Sequence, residues 1–170
     1  MTIPLATIKS ALKVDYDDDD RDLTRLREAA MSLISRNTQL ALTVESYLLY
    51  LTQWRDTVFP LAPFVSVTSV KYTTGTVITT MPTSSYWVER SDALPKLRFL
   101  DVPGIDVGTA IIVTYSAGYA DLPPEVTHAV ISLVGHWYNN PEAAQPISLS
   151  VVPLGLEYIM RSISTTASFR

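Results

Sequence analysis

The stretch Leu122–Tyr138 restricts the fold more than any other part of the chain. Val126, Ala129, Val130, Leu133, Val134 and Trp137 recur at i, i+3, i+4, i+7, i+8 and i+11, the spacing of a helix that buries one stripe. Pro123 and Pro124 precede it. Pro124 suits a first turn, where no amide donor is needed and a fixed φ already fits. Glu125 sets negative charge near the positive end of the helix dipole. Asn139-Asn140-Pro141 ends the pattern, because the residue before a proline is pushed out of the α region. The spacing predicts a helix over 124–138, and the remaining elements must supply the surface that covers its stripe.

Two helical patterns lie upstream. Ile3–Lys13 reads as a short helix with Leu5, Ile8 and Leu12 on one face and Pro4 in its first turn. A longer one runs from about Asp19 to Asn37, with Leu23, Leu26, Ala30, Leu33 and Ile34 as its apolar stripe and Arg21, Arg25 and Glu28 on the other side. Arg21 and Arg25 could meet phosphate or a partner's carboxylate, or simply form a solvated face. Between the two helices stands Asp15-Tyr-Asp-Asp-Asp-Asp20. Clustered carboxylates suit hard cations, but the alternation and glycine of a calcium loop are missing. The favoured reading is a cap, with an aspartate accepting bonds from the free amides of the following helix.

Composition changes after Asn37. From Leu42 to Tyr115 the chain is rich in Thr, Val, Tyr and Ile, punctuated by glycine and proline, which is strand vocabulary. Strands are expected near Glu45–Trp54, Val65–Thr74, Val77–Thr80, Tyr86–Arg90, Lys96–Leu100 and Thr109–Tyr115. Thr73-Thr-Gly-Thr76 reads as a hairpin turn, Phe59-Pro-Leu-Ala-Pro63 as a rigid extended connector, and Pro103-Gly104 as a further turn. Strands joined by turns with no intervening helices predict an antiparallel sheet. After the 124–138 helix, a loop over Asn139–Val152 leads to a last helix from Pro153 to about Ser162, with Leu156, Ile159 and Met160 on its apolar side. Ser164–Arg170 carries no pattern and reads as a flexible tail. The expected class is α+β: N-terminal helices over 1–41, an inserted antiparallel β-rich region over 42–120, C-terminal helices over 121–163 and a tail over 164–170, together forming one domain.

Composition narrows the function. Hydrophobic residues make up 47% of the 170, enough for a core. The absence of cysteine removes disulfides, thiolate metal sites and cysteine nucleophiles. A net charge of -4 argues against a generic nucleic-acid binder. The first residues lack a signal-peptide pattern, and no apolar run approaches the roughly 18 residues of a membrane span. The expected place of synthesis is the cytosol. His128 and His136, the two histidines, are about 12 Å apart by helical rise, too far to share a metal on a straight helix. No nucleophile elbow, zinc-protease motif or glycine-rich phosphate cradle is present. Asp101 and Asp106 bracket a turn without a histidine, lysine or metal ligand nearby in sequence. No catalytic residue, cofactor or metal site is expected; a small enzyme, or a DNA-binding module using Arg21, Arg25, Arg27 and Arg36 on one helix, is the less favoured alternative.

Aromatic side chains are in surplus: nine Tyr, three Trp and four Phe. In regular strands Tyr47 and Tyr50 point to opposite faces, as do Tyr86 and Trp87. One of each pair is therefore expected outside the core unless a second layer covers the sheet. Exposed aromatics among few charges resemble the centre of a protein–protein interface. The candidate interface residues are Tyr47, Tyr50, Tyr86, Trp87, Arg21, Arg25, Phe169 and Arg170.

The order of motifs adds a resemblance. A short helix and an Asp-rich linker precede Leu23-x-x-Leu26-x-x-Ala29-Ala30, with Thr38 at the helix end. Trp54, Phe59-Pro60, Pro63-Phe-Val-Ser-Val-Thr-Ser-Val-Lys-Tyr72 and Tyr86 after Pro82 follow. Val113-Thr-Tyr-Ser-Ala-Gly-Tyr119, Leu122-Pro123, Ala129-Val130, His136-Trp-Tyr138 and Val152-Pro-Leu-Gly155 complete the series. This order, over about Thr2 to Arg161, resembles the head–tail connector (adaptor) proteins of tailed bacteriophages and prophages. It departs from them at Asn139-Asn140-Pro141-Glu142, where the family often has an acidic–arginine element and this chain has no arginine. The resemblance implies a helical module carrying a β-rich insertion. It also implies a structural virion protein of the neck, made in the bacterial host cytoplasm. Its partners would be the portal protein, a stopper or tail-completion protein and its own copies in a dodecameric ring. Genomic DNA would pass without sequence-specific binding, and no membrane would be involved. A head-completion stopper or tail terminator is the alternative role.

Overall fold

The computed structural model describes residues 3–74, 76–90, 94–104, 110–140 and 154–164. The fold is α+β. It comprises helices α1 (Leu5–Leu12), α2 (Asp20–Thr38), α3 (Pro124–Asn139) and α4 (Leu154–Ile163). The strands are β1 (Glu45–Leu51), β2 (Thr57–Val58), β3 (Phe64–Thr74), β4 (Val77–Thr80), β5 (Tyr86–Glu89), β6 (Lys96–Phe99) and β7 (Ile111–Ala117). The chain divides into two compact units, one of Met1–Thr43 with Tyr119–Arg170 and the other of Val44–Gly118.

The helical unit is built on α3. Pro123 caps it and Pro124 opens it, so the missing proline amide falls where the helix has no partner for it. All six stripe residues, Val126 through Trp137, are buried. They pack chiefly on α2, with α1 and α4 closing the remaining sides. From α2 come Leu23, Leu26, Ala30 and Ile34. Leu33, assigned to that stripe from spacing, is half-buried, and Thr38 is buried instead. The Thr38 hydroxyl donates to the Ile34 carbonyl at 2.7 Å, which satisfies its polar atom inside the core. Gly135 is the close-approach position: a Cβ there would lie 2.9 Å from Leu12 Cδ2, so glycine lets α1 lie against α3. Asn139 and Asn140 close α3 by donating side-chain amides to the Gly135 and His136 carbonyls, each at 2.9 Å. Pro4 sits just before α1 rather than inside its first turn.

The β unit holds two antiparallel sheets, one of four strands in the order β1-β7-β3-β4 and one of three in the order β2-β6-β5. The central strand β7 alternates cleanly: Ile111, Val113, Tyr115 and Ala117 are buried, and the residues between them are half-exposed. This is the period-2 signature of a sheet covered on one face. Thr74 pairs with Val77, which places the hairpin link at 75–76, with Gly75 outside the described residues.

Several expectations need correction. β1 ends at Leu51, not Trp54, because Trp54 turns in. Its ring meets Tyr72 at 5.6 Å and Phe99 at 5.0 Å, both edge-on, and its indole donates to the Pro103 carbonyl at 2.8 Å. The short β2 was not anticipated. The segment read as a connector delivers Phe59 into the core, stacked on Phe64 at 4.4 Å and tilted against Tyr115 at 4.9 Å. β7 continues to Ala117, two residues past the expected end. In the last helix Met160 is buried. The side chains of Leu156 and Ile159, most of the 139–152 loop, Asp106 and the tail from 165 onward, with Phe169 and Arg170, lie outside the described residues.

Candidate functional site

The candidate site is a surface, and the four-stranded sheet supplies most of it. Register fixes which side chains share its outer face. Leu49 pairs with Val113 and Tyr47 with Tyr115, so the odd-numbered residues of β1 face the core. Ser46, Leu48 and Tyr50 therefore face outward. One row across the sheet reads Tyr50, Ile112, Lys71, Thr80, and the next reads Leu48, Thr114, Ser69. Lys71 is the single charge in these rows. The two edge strands carry the apolar exposure: Leu48 is 56% and Tyr50 60% exposed on β1, and Val77 62% and Ile78 66% on β4. Low charge with exposed Tyr and Leu is the composition of an interface centre, not of an ordinary solvated face.

The three-stranded sheet presents a different surface. Trp87 is 44% exposed and stands opposite Arg98. Arg98 is held from two sides: Nε and Nη2 meet Glu89 Oε2 at 2.8 and 2.7 Å, and Nη1 meets Asp56 Oδ2 at 2.5 Å. The fork geometry of guanidinium suits this double engagement, and the hydrogen bond to Glu89 holds the Arg98 pKa above its ordinary value. Trp and Arg are among the residue types that dominate binding energy at interfaces.

In the helical unit the acidic linker gives α2 an acidic first turn, Asp20 and Asp22, but not the expected side-chain capping bond. Asp19 precedes α2 without a side-chain capping bond. The carboxylates reach other helices instead. Lys9 of α1 donates to Asp17 at 2.6 Å and to Asp20 at 2.7 Å. Tyr138 of α3 donates to Asp19 at 2.5 Å, and its hydroxyl lies 3.1 Å from that of Tyr16. Hydrogen bonding to Asp17, then to Asp20, raises the Lys9 pKa, and the bond to Lys9 lowers that of Asp17. The bond to Asp19 pushes the Tyr138 phenol well above its usual range. Among the described residues no three His, Asp or Glu side chains gather as metal ligands. An open hollow of about 640 Å³ beside α1 is lined by Ala6, Lys9, Ser10, Lys13, Val14 and Asp15, and its Lys9 is already engaged.

The candidate residues separate into three groups. Tyr50 and Trp87 are exposed, on different sheets. Tyr86 is corrected: at 9% exposure its ring belongs to the core, and Tyr47 is half-buried with its ring 5.8 Å from that of Tyr115. Both occupy the inward side of the alternation, and burial pushes the phenols of Tyr86 and Tyr47 upward, keeping them neutral. Arg21 and Arg25 are exposed on α2, with Arg25 3.4 Å from Asp22. His128 is exposed, with Nε2 3.5 Å from Ser132 Oγ, and His136 is half-buried. Sequence reasoning missed Leu48, Val77 and Ile78. Leu48 shares its strand face with Tyr50, since i and i+2 point the same way, but the sequence does not say whether that face or the Tyr47 face is the outer one. The Lys9–Asp17 and Tyr138–Asp19 pairs carried no signal, because their partners are brought together only by helix packing.

The chain is thus α+β, a helical unit with an inserted antiparallel unit. No family model and no curated protein matches it. Solved structures do. A chain in the neck of an empty gene transfer agent (GTA) particle computed with C6 symmetry aligns with a TM-score of 0.78 at 22% identity, covering 96% of this chain and 89% of that one. A chain of the virion of a native GTA particle aligns at 0.79 with the same identity and coverage. A chain in the neck of a native GTA particle computed with C12 symmetry aligns at 0.72, also at 22% identity, covering 96% and 92%. The likeness establishes a shared fold across nearly the whole chain.

Proposed function

We propose that this chain is a structural subunit of the neck of a phage-like virion, with no reaction of its own. The observation that carries this reading is the fold likeness to chains of GTA particle necks, which runs through both the helical unit and the insertion. The finer role is that of a head–tail connector, or adaptor. In that role copies of the chain form a ring beneath the portal protein, extend the DNA channel and dock a stopper or tail-completion protein. The motif order from Thr2 to Arg161 supports the adaptor role, and the symmetry of the related necks supports a ring, dodecameric where the symmetry is C12. A cyclic ring joins two different patches of each subunit. A mild negative charge lets genomic DNA slide past, since phosphate binding depends on Lys and Arg. On this reading the chain is made in the bacterial cytoplasm and ends in the virion. No helix among the described residues is long and apolar enough to cross a membrane.

The test is capture by purified neck components. The adaptor reading expects the chain to bind portal rings directly and to appear in electron micrographs as an added ring on the portal's lower face. Binding to a preformed adaptor ring, with none to the portal, would assign it to the stopper position instead.

A further inference from the structure

The four-stranded sheet ends in two open edges that complement each other. Among the described residues β1 borders only β7, and β4 borders only β3. Strand direction alternates along the order β1-β7-β3-β4, because every pairing is antiparallel. β1 and β4 therefore run in opposite senses. Edges of this kind are usually blunted by charge, proline or a bulge, since their unpaired backbone groups invite another strand. Here β4 reads Val-Ile-Thr-Thr, and β1 carries one charge, Glu45, at its first position. The bulges of this sheet lie in β3, at 64–66 and 67–69, where it pairs with β7. Both edges instead carry exposed apolar side chains on the same outer face: Leu48 and Tyr50 on β1, Ile78 on β4.

We infer that β4 of one copy pairs antiparallel with β1 of the next, so that the sheets join edge to edge from subunit to subunit; this rests on the ring proposed above. The occupant of each edge is a second copy because the two edges differ from one another. One end of the sheet fits the other end of an identical sheet, which is the head-to-tail relation that generates a ring. Continuing the order places a β4 running opposite to β1, with the outer faces aligned. Main-chain bonds give the joint its strength, and alternate side chains set its register, as in other strand additions. On the shared outer face Ile78 falls opposite Leu48 or Tyr50. A one-residue slip would turn Ile78 to the opposite face.

The chain has no cysteine, so single thiols report the joint without background. Leu48→Cys, Tyr50→Cys and Ile78→Cys are exposed changes, and Leu49→Cys serves as the inward-facing control. Differently tagged variants are mixed in pairs, assembled on the portal ring and treated with a short thiol–thiol cross-linker, and the same samples are imaged. Ile78→Cys is expected to link to Leu48→Cys or Tyr50→Cys at least about tenfold more than any like-with-like pair or Leu49→Cys, because pairing holds those thiols at high local concentration. Rings that form without this preference would overturn the edge joint and leave the ring reading standing. Preferential links without rings would uphold the joint and overturn the closed ring. Neither rings nor links would overturn both.

Discussion

Trp137 and Gln39 test opposite claims about single residues. Trp137 closes the α3 stripe at 6% exposure. Removing its ring leaves a void in the helical core. Trp137→Ala should cost about 3–5 kcal/mol and lower the melting temperature of the helical signal by on the order of 10 °C for a chain of this length. An unchanged melt would disprove the stripe assignment. Gln39 ends α2 with φ 58° and ψ 28°, a left-handed conformation that disfavours any residue with a Cβ. Its side chain is exposed. Gln39→Gly removes that strain, and the glycine's extra freedom in the unfolded chain offsets part of the gain. Thermal unfolding should report a stabilisation of about 0.5–1 kcal/mol, the reverse of what a mid-helix glycine does.

At the level of elements, the acidic linker ties α1 and α3 to the start of α2, and pH should release it from both sides. Asp17 has a lowered pKa because Lys9 donates to it. Its contribution is therefore complete above the ordinary carboxylate value near 4 and fades as pH falls through the lower folded value. Tyr138 has a raised pKa because Asp19 accepts its proton in a hydrogen bond. Its contribution is complete below the ordinary phenol value near 10 and fades as pH rises beyond it. Lys9, raised by Asp17 and Asp20, fades on the same alkaline side. Melting temperature should fall below about pH 4 and above about pH 10. Asp17→Asn should flatten part of the acid limb, and Tyr138→Phe part of the alkaline limb. Circular dichroism melts across pH would read both. These ties also mark the limit of what could be read from residues alone. α3 was legible because six apolar residues keep helical period and prolines and asparagines mark its ends. β7 was legible from its alternation. The partners of the aspartates were not, since Lys9 and Asp17 stand on different elements and local rules favour capping. Trp54 was misread for a related reason: its β-propensity fits a strand, but its indole finds the Pro103 carbonyl and two aromatic neighbours off the strand. Among the surface candidates, alternation correctly divided Tyr47 from Tyr50 and Tyr86 from Trp87. It could not say which pair member faced the core, because that depends on where Phe59 and Tyr115 lie.

For the whole molecule, the decisive question is how a protein proposed to surround a DNA path avoids gripping it. The chain holds 13 Lys and Arg against 17 Asp and Glu, and several of its cations are committed within the fold. Lys9 serves two aspartates, Arg98 serves Glu89 and Asp56, Arg25 lies beside Asp22, and Arg27 donates to the Ile3 carbonyl. Duplex affinity comes from Lys and Arg releasing counterions, with a salt slope of roughly -0.9 per phosphate neutralised. A subunit of net negative charge with these four cations engaged should show little such slope. The expected result is that fluorescent duplex DNA keeps its anisotropy when the chain is titrated in, even at about 50 mM salt, where counterion release favours binding most. Arg21→Ala with Arg25→Ala should then change nothing in that assay. Tight binding that collapses with added salt, and that this double substitution weakens, would instead make α2 a DNA-contacting helix. That outcome would set the exposed α2 face, rather than the apolar sheet edges, at the centre of what this protein does.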